Sequence, residues 1–264
     1  MGEGVLALGK IALIFAIGFP LLLYLAQDSL IFHPQRLEES RRAALAQASA
    51  AESLFIHAAD GTRLHAWHVK GDPLVIYFGG NAEEVSWMLE DAPRRAPGVG
   101  WLLVDYRGYG SSDGSPSEKA LVADALQWHD HFKAAGRVYV FGRSLGSGVA
   151  VQLAAERPVA GVILVAPFDS LVEVGRRHYP FLPVGWLLRH RFDSAALAPK
   201  MKAPLLCIVA AYDEVVPAEH AKRLYDAWGG AKRWVGLDGA GHNSTDSALN
   251  YWPSIARFLS ERPS

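Results

Sequence analysis

An apolar, β-branched and aromatic run, Val138-Tyr139-Val140-Phe141, leads directly into Gly142-Arg143-Ser144-Leu145-Gly146-Ser147-Gly148, after which small and apolar residues continue at helical spacing. A strand that turns at once into a helix leaves little room at the bend. Glycines at 142 and 146 let strand and helix approach, and the serine between them is lifted out with its hydroxyl exposed. No other stretch restricts the fold as tightly, because the bend dictates a strand end, a helix start and bare backbone on both sides of it.

A serine hydroxyl attacks at neutral pH only with a base beside it and a carboxylate to orient that base. Downstream, the apolar strand pattern of residues 204–212 ends at Asp213, and Leu237-Asp238-Gly239-Ala240-Gly241-His242 carries an apolar run into a glycine-rich loop. The chain order Ser144, Asp213, His242, each after a strand, is the order such a constellation takes in a parallel α/β sheet.

With these residues in place the chain resembles the α/β-hydrolase superfamily over nearly all of its length after the first thirty or so residues. Four further segments resemble one branch of it, small serine hydrolases with an N-terminal membrane anchor and little or no lid: Ile76-Tyr77-Phe78-Gly79-Gly80-Asn81-Ala82-Glu83, Asp105-Tyr106-Arg107-Gly108-Tyr109-Gly110 with the following Ser111-Ser112-Asp113-Gly114, Tyr179-Pro180-Phe181-Leu182-Pro183-Val184, and Arg191-Phe192-Asp193-Ser194. Some members of that branch act as acyl-protein thioesterases, removing fatty acyl groups from cysteines. The chain departs from the branch in two places. It has Gly79-Gly80-Asn81 where His-Gly-Asn is common, and Ala210-Ala211 where a glycine often precedes the acid.

The resemblance implies a mostly parallel central sheet with helices on both faces and a minimal cap. It implies a serine hydrolase cleaving acyl esters or thioesters through an acyl-enzyme, with Ser144 as nucleophile, His242 as base and Asp213 as its orienting acid. The carbonyl oxygen would be met by the backbone N–H groups of Leu145 and of Asn81 in the Gly80-Asn81 loop. Neither a metal nor an organic cofactor is called for. Two rival functions stay open: a non-catalytic membrane-tethered scaffold that kept the fold, and a serine peptidase of the same fold.

Residues 5–26 are apolar apart from Lys10 and Pro20, about the length that crosses a bilayer as a helix. The expectation is a single-pass membrane anchor and linker over residues 1–34, then a catalytic domain over 35–264. A cleaved signal peptide is the main rival, opposed by the bulky Tyr24 before Ala26. Lys10 on one flank and Arg36, Arg41 and Arg42 on the other give a slight positive-inside bias, and the side on which the catalytic domain lies is left open.

In the rest of the chain, residues 39–52 form an alanine-rich polar helix pattern. Residues 53–69 read as a hairpin about Asp60-Gly61. Strand patterns at 74–78, 100–105, 137–141, 161–165, 205–210 and 233–237 alternate with helical ones such as 118–134 and 218–228. Alternation of this kind builds a parallel sheet with its chemistry beyond the strands' carboxyl ends. Residues 169–199 form the one long insertion, with Tyr179, Phe181 and Trp186 among basic residues, and read either as an ordinary covering helix or as a small cap over an acyl pocket.

The formal net charge of −1 gives no electrostatic case for nucleic acid as a partner. The single cysteine, Cys207, excludes an intrachain disulfide and sits in an apolar strand pattern as a buried thiol. His129 and His131, two apart on a helix, point to different sides and read as a solvated face, not a metal pair. Asp105 and Arg107 read as loop-fixing residues, and His57, His65 and His68 as structural.

Overall fold

The computed structural model describes the backbone of residues 2–261 and the side chains from Ile17 onward. Eight strands, β1 (Glu52–His57), β2 (Arg63–Val69), β3 (Leu74–Phe78), β4 (Gly100–Val104), β5 (Val138–Arg143), β6 (Gly161–Val165), β7 (Leu205–Tyr212) and β8 (Lys232–Gly241), form one sheet in the order β1-β2-β4-β3-β5-β6-β7-β8. β2 runs antiparallel to β1 and β4, and the remaining pairings are parallel. The helices are α1 (Gly2–Ile31), α2 (Glu39–Ala48), α3 (Met88–Arg95), α4 (Glu118–His131), α5 (Leu145–Glu156), α6 (Leu171–His178), α7 (Val184–Leu187), α8 (Ser194–Leu197), α9 (Ala218–Ala227) and α10 (Tyr251–Ser260).

The central strands β3, β4 and β6 are buried along their whole length, as unbroken apolar runs covered on both faces must be. Alternate residues feed two cores. Ile76, Phe78, Leu102 and Val140 pack with Trp128 of α4, Val149 of α5 and Leu224 of α9. Val75, Tyr77, Leu103 and Phe141 pack on the other face with Met88 of α3 and Ile255 and Phe258 of α10. Strand order reverses between β3 and β5, the point beyond whose carboxyl ends a parallel α/β sheet sets its binding crevice.

The strand and helix patterns in the sequence match these elements closely; the main difference is β8, which runs on through Gly241 where a loop is expected. Ala210 pairs with Leu237 but Tyr212 pairs with Gly241, so β8 carries two more residues than β7 over that interval. Residues 169–199 contain only the short helices α6, α7 and α8, which form a minimal cap after β6. Tyr179, Phe181 and Trp186 stand exposed on it.

Arg107 fixes its loop through two parallel bonds to Asp124, Nε to Oδ2 at 2.6 Å and Nη2 to Oδ1 at 2.7 Å, and also reaches Asp60. Breaking so buried a pair costs about 3–5 kcal/mol. His129 is buried with Nε2 at 3.2 Å from the Pro158 carbonyl, while His131 is exposed.

The N-terminal expectation needs correction. Among the described residues no helix is long and apolar enough to cross a membrane, which overturns the single-pass anchor and the membrane localisation built on it. Side chains of residues 5–16 lie outside those described. From Ile17 the apolar run lasts only about half of a bilayer's width before Gln27. Gln27 is buried, accepts from Arg189 N–H at 2.7 Å and donates to the Leu187 carbonyl at 3.2 Å, and Asp28 pairs with Arg189 and His190. The end of α1 is thus seated on the cap by polar contacts. Phe32 enters the core and His33 N–H donates to the Asn81 carbonyl at 3.0 Å.

Cys207 lies in β7 with no exposed surface, and burial pushes its thiol pKa up. Iodoacetamide is therefore expected to leave Cys207 unmodified in the native protein at neutral pH and to alkylate it fully in denaturant; intact-mass spectrometry reads both states.

Candidate active site

Ser144 joins β5 to α5 with φ 50° and ψ −116°, a region that costs a non-glycine residue about 1–3 kcal/mol. The strain persists because the surroundings leave no alternative. A Cβ on Gly142 would lie 2.2 Å from the Gly146 carbonyl oxygen, and one on Gly146 would lie 2.0 Å from that of Phe78. Helix α5 therefore starts hard against the end of β3. It starts without a capping side chain, since the position before its first residue is Ser144 itself, turned away. The Leu145 N–H at the helix's positive end has no partner among the described residues.

The pairing of Tyr212 with Gly241 brings the residues that follow them, Asp213 and His242, side by side. His242 Nδ1 lies 2.8 Å from Asp213 Oδ2, and Nε2 lies 2.9 Å from Ser144 Oγ. Asp213 Oδ1 accepts the N–H groups of Val215 and Val216 at 3.0 and 2.7 Å, so both carboxylate oxygens are engaged and the side chain is held in one rotamer. Nδ1 facing a carboxylate places the neutral ring's proton there and leaves Nε2 as acceptor for the serine hydroxyl.

Gly79-Gly80-Asn81 forms the opposite wall. A Cβ built on Gly80 would sit 3.8 Å from the Ser144 Cβ. The Asn81 carbonyl accepts from His33 N–H and from Tyr109 Oη at 2.6 Å, and its amide donates to the Ile31 carbonyl at 3.1 Å. Its backbone N–H is without a partner among the described residues. The five residues singled out from the sequence, Ser144, Asp213, His242, Leu145 and Asn81, thus converge on one crevice.

Sequence reasoning missed two residues there. Arg143, next to the serine, and Glu83, in the β3 loop, pair at 3.1 Å beneath the crevice. Burial pulls the Arg143 pKa down, but the charge of and hydrogen bond to Glu83, with smaller contributions from Tyr77 and Tyr251, together raise it. An acidic residue closely following Gly-Gly-Asn was the available signal. Asp105, expected to fix its loop, does so by accepting from Ser111 N–H at 2.8 Å and bonding His65 Nδ1 at 2.7 Å. Among the described residues no cluster of three metal-ligating side chains occurs.

A family model described as serine hydrolase matches residues 120–261. An uncharacterized protein of Mycobacterium tuberculosis is 38% identical over 225 residues, 80% of each chain. The lysophosphatidylserine lipase of Danio rerio is 35% identical over 146 residues, 47% of this chain and 38% of that one. Among solved structures, an esterase from Exiguobacterium antarcticum superposes with a TM-score of 0.64 at 19% identity, over 80% of this chain and all of that one.

Gly146→Ala is expected to destabilise the protein by roughly 3 kcal/mol in urea unfolding, because the new methyl meets backbone that cannot yield. Gly236→Ala, where nothing lies within 4 Å of the added carbon, is expected to change stability by less than about 0.5 kcal/mol.

Proposed function

The chain belongs to the serine hydrolase family, on an α/β-hydrolase fold, and we propose that it cleaves acyl esters or thioesters through Ser144, His242 and Asp213. The observation that carries this reading is the continuous hydrogen-bonded chain from Ser144 Oγ through the His242 ring to Asp213, ending at a strained serine between two unpaired N–H groups.

His242 Nε2 takes the Ser144 proton as Oγ attacks the acyl carbonyl, and Asp213 stabilises the imidazolium that forms. The carbonyl π pair moves to oxygen, which the Leu145 and Asn81 N–H groups meet. Each such donor is worth about a hundred- to a thousandfold in rate. The tetrahedral species collapses, expelling the alcohol or thiol with the proton from His242 and leaving an acyl-serine. Water, deprotonated by His242, then attacks the acyl carbonyl; the second tetrahedral species collapses, the acyl–Oγ bond breaks, His242 returns its proton to Ser144 Oγ and the acid leaves.

We assign this chemistry to residues 35–264, with residues 27–34 as a strap laid over the Asn81 loop. The exposed residues near the acid support a substrate class. Tyr212 and Val215 flank the acid and are exposed, and His178 Nε2 at 2.9 Å from the Val215 carbonyl ties α6 to the same loop. Tyr179, Phe181 and Trp186 are exposed on the cap as well, and we read this apolar surface as receiving fatty acyl chains. Lipid esters or acylated proteins fit it, in keeping with a relative named as a lysophospholipid lipase.

Ser144→Ala is expected to lower hydrolysis of p-nitrophenyl butyrate about a millionfold and to abolish fluorophosphonate labelling, with an unchanged circular dichroism spectrum. Wild-type labelling in that variant would move the nucleophile elsewhere. Asp213→Asn is expected to lose about ten-thousandfold in kcat by holding the imidazole in the wrong tautomer. Glu214→Gln, exposed and outside this network, is expected to stay within about twofold of wild type; the two variants compared in one assay identify the acid.

A further inference from the structure

Glu83 gathers four donors onto one carboxylate. Oε1 accepts from Tyr77 Oη at 2.6 Å and Trp87 Nε1 at 2.9 Å; Oε2 accepts from Gly80 N–H at 2.7 Å and Arg143 Nη1 at 3.1 Å. Burial pushes the Tyr77 phenol pKa up, and the Glu83 charge adds to it, so that hydroxyl remains a donor. Arg143 is equally committed. Its Nη2 donates to the His242 carbonyl at 3.0 Å and to Asn243 Oδ1 at 3.3 Å. The side chains are 9% and 16% exposed.

We propose that Glu83 and Arg143 are positioning residues that clamp the Gly80-Asn81 loop, the serine bend and the histidine loop at reacting distance. The proposal rests on Ser144 being the nucleophile. The three parts of the crevice come from chain positions far apart, and each is joined to the others through this pair. Arg143 is covalently attached to Ser144. Its guanidinium grips the backbone of His242, and through Glu83 it grips the N–H that precedes Asn81. With the Gly80 N–H spent on Glu83, the turn is held so that the next N–H, that of Asn81, is left unpaired. Bare backbone at Gly79 is part of the arrangement, since a Cβ there would lie 3.1 Å from the Glu83 carboxyl carbon. A buried ion pair yields little net stability after desolvation, so what it supplies here is geometry. Misplacement of catalytic groups by about 1 Å costs on the order of a hundredfold in rate.

The test uses the full chain with Glu83→Gln, Arg143→Lys, the double variant and Ser144→Ala. Hydrolysis of p-nitrophenyl acetate is measured per active site, sites being counted by end-point fluorophosphonate labelling, so that unfolded protein does not enter the rate. Both single variants are expected to lose about ten- to a hundredfold in kcat with KM within about twofold. The double variant is expected to be no slower than the worse single one, the mark of two residues acting as one unit. A kcat per labelled site equal to wild type in both single variants, with Ser144→Ala inert, overturns the clamp and leaves the serine hydrolase reading standing. Losses that add fully in the double variant overturn it as well. Activity retained by Ser144→Ala removes the reading and the clamp together.

Discussion

The structure depends on one close approach: the first turn of α5 against the last carbonyls of β3, with Gly146 at the point of contact. That approach forces the positive φ of Ser144 and leaves the start of α5 uncapped. It also sets the Gly80-Asn81 turn within reach of the serine. Strain, free N–H groups and a hydroxyl turned toward His242 are therefore one geometric fact seen from three sides. A helix begun by an ordinary Ser or Asp cap, as α4 is by Ser117 accepting the Ala120 N–H, would have spent its donors internally.

The same three side chains meet a second time. Ser53 Oγ lies 2.9 Å from His65 Nε2, and His65 Nδ1 lies 2.7 Å from Asp105 Oδ2. Distances alone do not distinguish this set from the crevice. Its backbone does: Ser53 sits in regular strand β1, and its oxygen already accepts from Arg42 Nη1 at 2.9 Å. His65 is fully buried and Asp105 also holds the Ser111 N–H. Here the hydrogen-bonded relay fastens the edge of the sheet to the loop after β4. In the function proposed above, reactivity belongs to the bend that carries Ser144, not to the trio of residue types.

The sheet and its alternation with helices were legible because unbroken apolar runs and period-3.6 patterns are local properties, and the bend was legible because only glycine fits at 142 and 146. Asp213 and His242 could be named from chain order, yet what brings them together, the shifted pairing at the ends of β7 and β8, is a long-range register that no local pattern encodes. Glu83 and Arg143 lie sixty residues apart and look like ordinary surface charges until β3 and β5 are adjacent. The membrane anchor failed for a related reason. Hydropathy registers the apolar run of residues 5–26, but among the described residues no helix is long and apolar enough to cross a membrane, and Gln27 and Asp28 after it bind a cap more than 150 residues away.

The shifted pairing near Ala210 and Tyr212 also governs which length changes the chain tolerates. In a straight ladder Tyr212 would face Gly239, and His242 would overshoot Asp213 by two residues, about 7 Å. The two extra residues of β8 take up that slack at an irregularity where Gly239 has a positive φ of 75°. Each residue added to or removed from the stretch between Leu237 and Gly241 would shift His242 by about 3.4 Å along β8 relative to Asp213.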